Sequence, residues 1–326
     1  MSFKRWFTAL SGVALVTILA LSQSAQADVT FGGASAFGVD ANVGLSATVG
    51  GVGVNATLSA GPFPTASGAA PPAFNNTNSA ASASASASIG GLGVVGSLST
   101  SILNVNAQSN VDGTAGAKTT SASATVNDLA VSLSTGNPLF PSLLNLGATI
   151  VQSTAQVSGN FGALTPTGTT TILGAGVGGS ASLSVLGVDI TALVFGAGSV
   201  NPAPNTTVTI NDFTLGGPGV LTGSITVVLN EQIVTGNGSS TSGITVNAID
   251  ITFNNFSSAV FGPITLSGNI LVSQSQAGQT AAPGGGGGGA QPVPEPSSLA
   301  LGAVMGVAGV VARFKRRRAD RQLESV

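Results

Sequence analysis

The stretch Leu221-Thr222-Gly223-Ser224-Ile225-Thr226-Val227-Val228-Leu229-Asn230-Glu231-Gln232-Ile233 decides the fold class. Leu221, Ile225, Val227, Leu229 and Ile233 share one parity, with Gly223 and Glu231 on the same face. Alternation with period two predicts a half-buried strand, because successive side chains of a strand point to opposite faces. Val208 and Ile210 alternate in the same way upstream, as do Ile264, Leu266, Ile270 and Val272 downstream. From Asp28 to about Ala282 the chain is rich in Val, Thr, Ile, Ser, Gly and Asn, with recurrent turn signals and almost no helical periodicity. This composition predicts an all-β body.

Three segments begin alike: Val126-Asn127-Asp128-Leu129-Ala130-Val131, Ile210-Asn211-Asp212-Phe213-Thr214-Leu215 and Val246-Asn247-Ala248-Ile249-Asp250-Ile251. In each, apolar parity switches between the opening Val or Ile and the later Leu, Phe or Ile. A switch inside a strand requires a bulge or a corner. Ile172-Leu173-Gly174-Ala175-Gly176-Val177 reads as a degenerate fourth copy. Partner strands end in similar polar text: Ile150-Val151-Gln152-Ser153, Leu229-Asn230-Glu231-Gln232 and Leu271-Val272-Ser273-Gln274. The reading is a two-strand unit repeated between Ser121 and Ala277, with Asn127, Asn211 and Asn247 bonding local backbone at the switches and Leu129, Phe213 and Ile249 entering the core.

Two architectures accommodate such a unit. Antiparallel hairpins can pack as an elongated β-sandwich, or repeats can stack as a β-solenoid. Irregular repeat spacing and hairpin-like pairing favour the sandwich. Before Ser121 the pattern is looser. Gly61-Pro62-Phe63-Pro64 and Pro71-Pro72 break it, and the Ser/Ala alternation from Ser79 to Ser88 suits either a tightly packed strand or a low-complexity loop.

Charge is concentrated at the ends. Between Asp28 and Ala290 a single cation, Lys118, stands against eight acids (Asp28, Asp40, Asp112, Asp128, Asp189, Asp212, Glu231 and Asp250), a net of −7. Such a body cannot neutralise phosphates, which excludes nucleic acid as a partner. The chain contains no His, Cys or Tyr. That removes His-based triads, thiol nucleophiles and Cys/His zinc sites. The acids are single and at least 12 residues apart. Asp189, Asp212, Asp250 and Glu231 would have to converge in space to bind calcium or to cleave a glycosidic bond. The expectation is therefore a protein that is not an enzyme and needs no cofactor, with a hydrolase the least favoured reading. Glu231 shares the apolar parity of Leu229 and Ile233. That parity places it inward, where a carboxylate must be hydrogen-bonded, for example by Asn247.

The two ends read as transport signals. Lys4 and Arg5 precede the apolar run Phe7 to Leu21, and Ala25-Gln26-Ala27 is an A-x-A cleavage site, so residues 1–27 read as a signal peptide and Asp28 as the mature start. The body follows as a β and low-complexity part, 28–120, and a repeated-hairpin part, 121–282. A Gly/Pro linker, 283–292, then precedes a tail, 293–326. The tail holds the box Val293-Pro294-Glu295-Pro296-Ser297-Ser298, an apolar stretch 299–312, and a basic cluster 313–321 with Arg313, Lys315, Arg316, Arg317 and Arg318. Fourteen helical residues rise about 21 Å, short of a ~30 Å hydrocarbon core but able to lodge in a membrane when flanking residues snorkel. The basic cluster acts as a membrane stop that stays cytoplasmic.

Box, short apolar helix and arginines, in that order, resemble the PEP-CTERM sorting signal of Gram-negative bacteria. The resemblance implies an exosortase-type transpeptidase as partner, recognition at Val293, Pro294, Glu295 and Pro296, a transient inner-membrane intermediate, and delivery to the cell surface or exterior. It also implies extracellular polysaccharide in the surroundings. The body resembles the choice-of-anchor P family of bacterial surface proteins through Ser35-Ala36-Phe37-Gly38, Ser121-Ala122-Ser123-Ala124, Pro204-Asn205-Thr206-Thr207, Leu229-Asn230-Glu231-Gln232 and Val246-Asn247-Ala248-Ile249. The expected role is a structural surface or extracellular-matrix protein. The alternative is a carbohydrate-binding module, which the absence of Trp and Tyr from the body disfavours.

Overall fold

The computed structural model describes residues 28–49, 52–89, 93–134, 142–174, 181–195, 201–211, 221–258 and 265–283. The signal peptide, the sorting tail with its expected membrane helix, and the copy around Phe213 lie outside the described residues. Contacts divide the chain into residues 1–284 and 285–326, and the described residues all belong to the first unit.

Among the described residues the chain forms β1 (Asp28–Val49), β2 (Val52–Ala70), β3 (Phe74–Ala80), β4 (Ala83–Ile89), β5 (Gly93–Thr100), β6 (Leu103–Ser109), β7 (Lys118–Leu133), β8 (Leu144–Asn160), β9 (Ala163–Leu173), β10 (Ser182–Val185) and β11 (Val188–Asp189). A five-residue helix α1 (Thr191–Phe195), β12 (Thr206–Ile210), β13 (Leu221–Gly236), β14 (Thr241–Ser258) and β15 (Thr265–Ala282) follow. One sheet has the order β12-β13-β14-β15-β1-β2. The other runs β11-β10-β8-β7-β5-β4, with β6 joining β7 to β3 and β9 flanking β8. These pairings are antiparallel. The two sheets face each other, β14 and β15 over β9, β8 and β7, and β1 and β2 over β7, β6 and β4. This is the hairpin sandwich rather than the solenoid.

The parity switches are real, and they line up. In β15 the buried set passes from Leu266, Ile270 and Val272 to Ser273, Ser275 and Ala277. In β14 it passes from Ile244 and Val246 to Ile249, Ile251 and Phe253, and in β1 from Ala34 and Ala36 to Val39, Ala41 and Val43. Glu231 pairs with Asn247, Asn247 with Gln274, and Gln274 with Phe37, while one step on Leu229 pairs with Ile249, Ile249 with Val272, and Val272 with Val39. Asn230, Ala248, Ser273 and Gly38 therefore occupy one row across the sheet. Asn230 and Ser273 have φ of 49° and 58°. A left-handed residue returns the next side chain to the face just left, which is how a bulge reverses parity.

The opposing sheet has its own row. β7 switches from Ala124 and Val126 to Leu129 and Val131 at Asp128, whose φ is 49°. β8 switches from Leu146 and Ala148 to Val151 and Ser153. There Asn127 behaves as expected, its Nδ2 donating to Ile102 O at 2.8 Å where the chain breaks between β5 and β6. Asn247 does not: it donates to Glu231 Oε2 at 2.7 Å and accepts from Gln274 Nε2 at 2.8 Å. Leu129 and Ile249 are buried as expected.

On one side of these rows the core is large and aliphatic, with Leu45, Leu58, Leu98, Leu103, Ile225 and Phe256 fully buried. On the other side a cluster with Val157, Leu164, Ile244 and Val246 adjoins a layer that is thin. Ala34, Ala36, Ala66, Ala107, Ala122 and Ala124 form one cluster. Ser153, Ser273 and Ser275 lie beside them, also buried. Ser153 Oγ and Ser275 Oγ meet at 2.6 Å across the interface, Ser273 Oγ donates to Ala124 O at 2.8 Å, and Ser275 Oγ donates to Ser153 O at 3.0 Å. Side chains this short touch the opposite backbone only when the sheets approach closely. Gly32 belongs to the same contact, since a Cβ there would strike Thr120 Oγ1 and Ser109 Oγ. The Ser/Ala/Gly bias of the sequence is thus the packing solution of a thin sandwich.

Candidate functional site

The described acids do not converge. Among the described residues no group of three or more could hold a metal ion. Asp189 lies on the β10–β11 hairpin, where Thr191 bonds its carboxyl and holds the pKa below the ordinary value. Asp250 and Glu231 lie on the other sheet, three pairs apart along β13–β14. Asp212 is outside the described residues. Burial raises the pKa of Asp40. Glu231 corrects the sequence reading. The switch at Asn230 puts it on the outer face with Asn247 and Gln274, and leaves Ile233 43% exposed instead of buried.

Lys118, buried in β7, donates to Asp112 Oδ1 and to Thr114 Oγ1 at 2.7 Å. Hydrogen bonds from Lys118 and Thr114 hold the Asp112 carboxyl well below the usual range. A depressed folded-state pKa contributes stability above the unfolded value of ~3.9, lost as pH falls through the folded value. An NMR titration of Asp112 should show a midpoint below that of an ordinary aspartate, and Lys118→Met should move it back. An unshifted midpoint in the unsubstituted protein would mean that the ion pair does not form.

The extended feature of the body is an outer face rather than a cleft. Across β3, β6, β7, β8 and β9 the register aligns Ser79, Asn104, Thr125, Gln152 and Thr171 in one row. The next row is Thr77, Asn106, Ser123, Thr154 and Thr169, and the next Asn75, Gln108, Ser121, Gln156 and Thr167. All are hydroxyl or amide residues, and none is buried. Their neighbours Val105, Ala107, Ala122, Ala124, Ser153 and Ala155 point inward. Five strands and five residues span about 19 Å by about 13 Å. Thr154 and Thr169 share a hydroxyl bond of 2.6 Å, Gln108 donates to Ser121 at 3.0 Å, and Asn106 donates to Asn75 at 2.7 Å. A shallow groove of ≈ 410 Å³ lies in this face, lined by Thr77, Asn78, Ser79, Asn104, Val105, Asn106, Ser123 and Thr125. It can exchange many neutral hydrogen bonds with a partner and has no group to perform acid–base chemistry. Sequence reading yields the polar strand faces but not the rows. Each strand shows polar parity on its own, but the rows depend on cross-strand register.

The expected processing residues Ala25 and Ala27, the box Val293 to Pro296, and the stop residues Arg313, Lys315, Arg316, Arg317 and Arg318 all lie outside the described residues. Among the described residues no helix is long and apolar enough to cross a membrane. Residues 292–318 match the model of the PEP-CTERM protein-sorting motif. That motif supports an exported protein sorted at the membrane by an exosortase before display on a Gram-negative surface. No curated protein sequence matches the chain. Among solved structures, the translocator domain of the autotransporter NalP from Neisseria meningitidis is similar at 12% identity over 83% of this chain and 95% of that one. With a TM-score of 0.13, that likeness carries no argument.

Proposed function

We propose that this protein is a non-enzymatic structural component of the cell surface or extracellular matrix, whose β3-β6-β7-β8-β9 outer face lies against neutral extracellular polysaccharide. The three aligned rows of uncharged hydroxyl and amide side chains carry this reading. Each hydrogen bond to a sugar replaces one to water, so its net gain is only about 0.5–1.5 kcal/mol. Useful affinity then needs many contacts at once, which a long polymer supplies and a small sugar does not. The body's −7 charge argues against a strongly acidic polymer. On its resemblance to choice-of-anchor P proteins, the body acts as a surface module that the tail delivers after passage through the inner membrane, where the 299–312 helix lodges transiently.

Two measurements test this. Intact mass of surface material should lack the Arg313 to Arg321 cluster, and full-length chain persisting in the membrane would overturn the sorting step. Exported protein should co-sediment with neutral exopolysaccharide. Ser123→Glu with Thr154→Glu should weaken that binding at least about tenfold, since each new carboxylate must be desolvated against the polymer. Gln276→Glu on the opposite sheet should leave it unchanged. Equal binding by both variants would overturn the assignment of the face.

A further inference from the structure

Strand edges distinguish one side of the sandwich. Exposed edges invite pairing with other chains, and proteins blunt them with charge, proline, covering groups or short length. Most edges here are blunted. β9 carries Pro166, and Gly162 N and Leu164 N donate to Ser239 O and Gly238 O of the β13–β14 turn at 2.9 and 2.8 Å. Gln232 Nε2 also donates to Gly168 O of β9 at 3.0 Å. The half of β2 that contains Pro62 and Pro64 is covered by β3. Asn76 and Asn78 of that strand donate to Ser67 O and Thr65 O at 2.7 and 3.0 Å. β12 and β11 are short.

Among the described residues β4 has none of these devices. Its seven residues, Ala83-Ser84-Ala85-Ser86-Ala87-Ser88-Ile89, pair only with β5 among the described residues. The half of β2 from Val52 to Ala60 pairs only with β1 among the described residues and lies across the sandwich from β4. The chain carries no charged residue between Asp40 and Asp112, so neither β4 nor the open half of β2 has a charge of its own to repel another strand. The core is also incompletely closed there. Val54, Ala56, Ala60, Ala83 and Ala85 pack on the core yet are only partly buried.

We propose that a second copy of this chain docks on this side, with β4 pairing antiparallel to β4 of the partner subunit and extending the nine-stranded sheet across a two-fold axis. The strand is self-complementary. Centred on Ser86, antiparallel pairing sets Ser86 opposite the partner subunit's Ser86. It keeps Ser84, Ser86 and Ser88 on one face and the alanines on the core face. An axis along the sheet normal brings the open half of β2 against its own counterpart at the same time, so the interface is isologous and closes at two copies. Copies of a −7 body repel one another elsewhere, which leaves this uncharged side as the place of approach.

The absence of cysteine makes the test direct. Full chain with Ser86→Cys, oxidised in mild detergent, should form a disulfide dimer, because directly opposed cross-strand Cα atoms lie within disulfide reach. Thr167→Cys on the blunted β9 edge should not. In sedimentation velocity the unsubstituted chain should show the doubled mass at high concentration, and Ser86→Lys should lose it. The proposal is overturned if the unsubstituted chain stays monomeric. It is equally overturned if Ser86→Lys still associates, or if Ser86→Cys cross-links no better than Thr167→Cys.

Discussion

Truncating Phe256 to Ala lowers the unfolding free energy by about 3–5 kcal/mol. Phe256 is fully buried in a body that is only sparsely aromatic. It reaches the core because the register of β14 against β15 shifts between Phe253 and Phe256, with Asn255 at φ 47° turning Phe256 to the side already taken by Phe253. Its cross-strand partner is Leu266, itself fully buried. Removing the ring leaves a cavity between two long strands that are hydrogen-bonded along their length and cannot collapse into it. Denaturant unfolding checks this against Phe63→Ala, whose ring is 47% exposed on β2 and whose loss should cost about 0.5 kcal/mol or less. Equal losses for the two variants would show that Phe256 does not sit in the core.

The second large effect runs the other way, by adding volume. Ser153→Leu should destabilise by about 2–5 kcal/mol, combining overpacking with stranded polar groups. Ser153 lies where the sheets are closest, with Ser275 Oγ 2.6 Å and Ser273 Oγ 3.0 Å from its hydroxyl. A leucine there meets the opposite backbone and removes the shared partner of two buried serines. In the aliphatic half, Ala148→Leu on the same strand faces a layer already spaced by Leu and Ile side chains, so its cost should be smaller. A Ser153→Leu protein as stable as Ala148→Leu would mean that the layer is not thin.

Much of the body was legible residue by residue. Alternation at Ile225, Val227 and Leu229 made β13, and the Ser/Ala text resolved into strand β4 with alanine toward the core and serine toward water. The polar segments Leu229-Asn230-Glu231-Gln232 and Leu271-Val272-Ser273-Gln274, expected to end their strands, instead lie inside β13 and β15, where they hold the switches. The exact switching residue was not legible. Placing Glu231 inward carries parity one residue too far, past Asn230. A positive φ in an Asn, Asp or Ser depends on how the neighbouring strands pair, and local sequence does not encode that pairing.

The sequence by itself determined the all-β class, the charge poverty of the body, and the sorting motif at residues 292–318, since each rests on composition, local period or contiguous residues. Only the tertiary structure decided that the switches form rows, that one layer of the sandwich is thin, and that fifteen polar side chains align on one face while, among the described residues, β4 and half of β2 stay unguarded. These features belong to register and to the pairing of strands distant in sequence, as when Ser153 meets Ser275. A strand's own residues set which side chains alternate, but the neighbour chosen and the offset of the pairing set what each side chain meets.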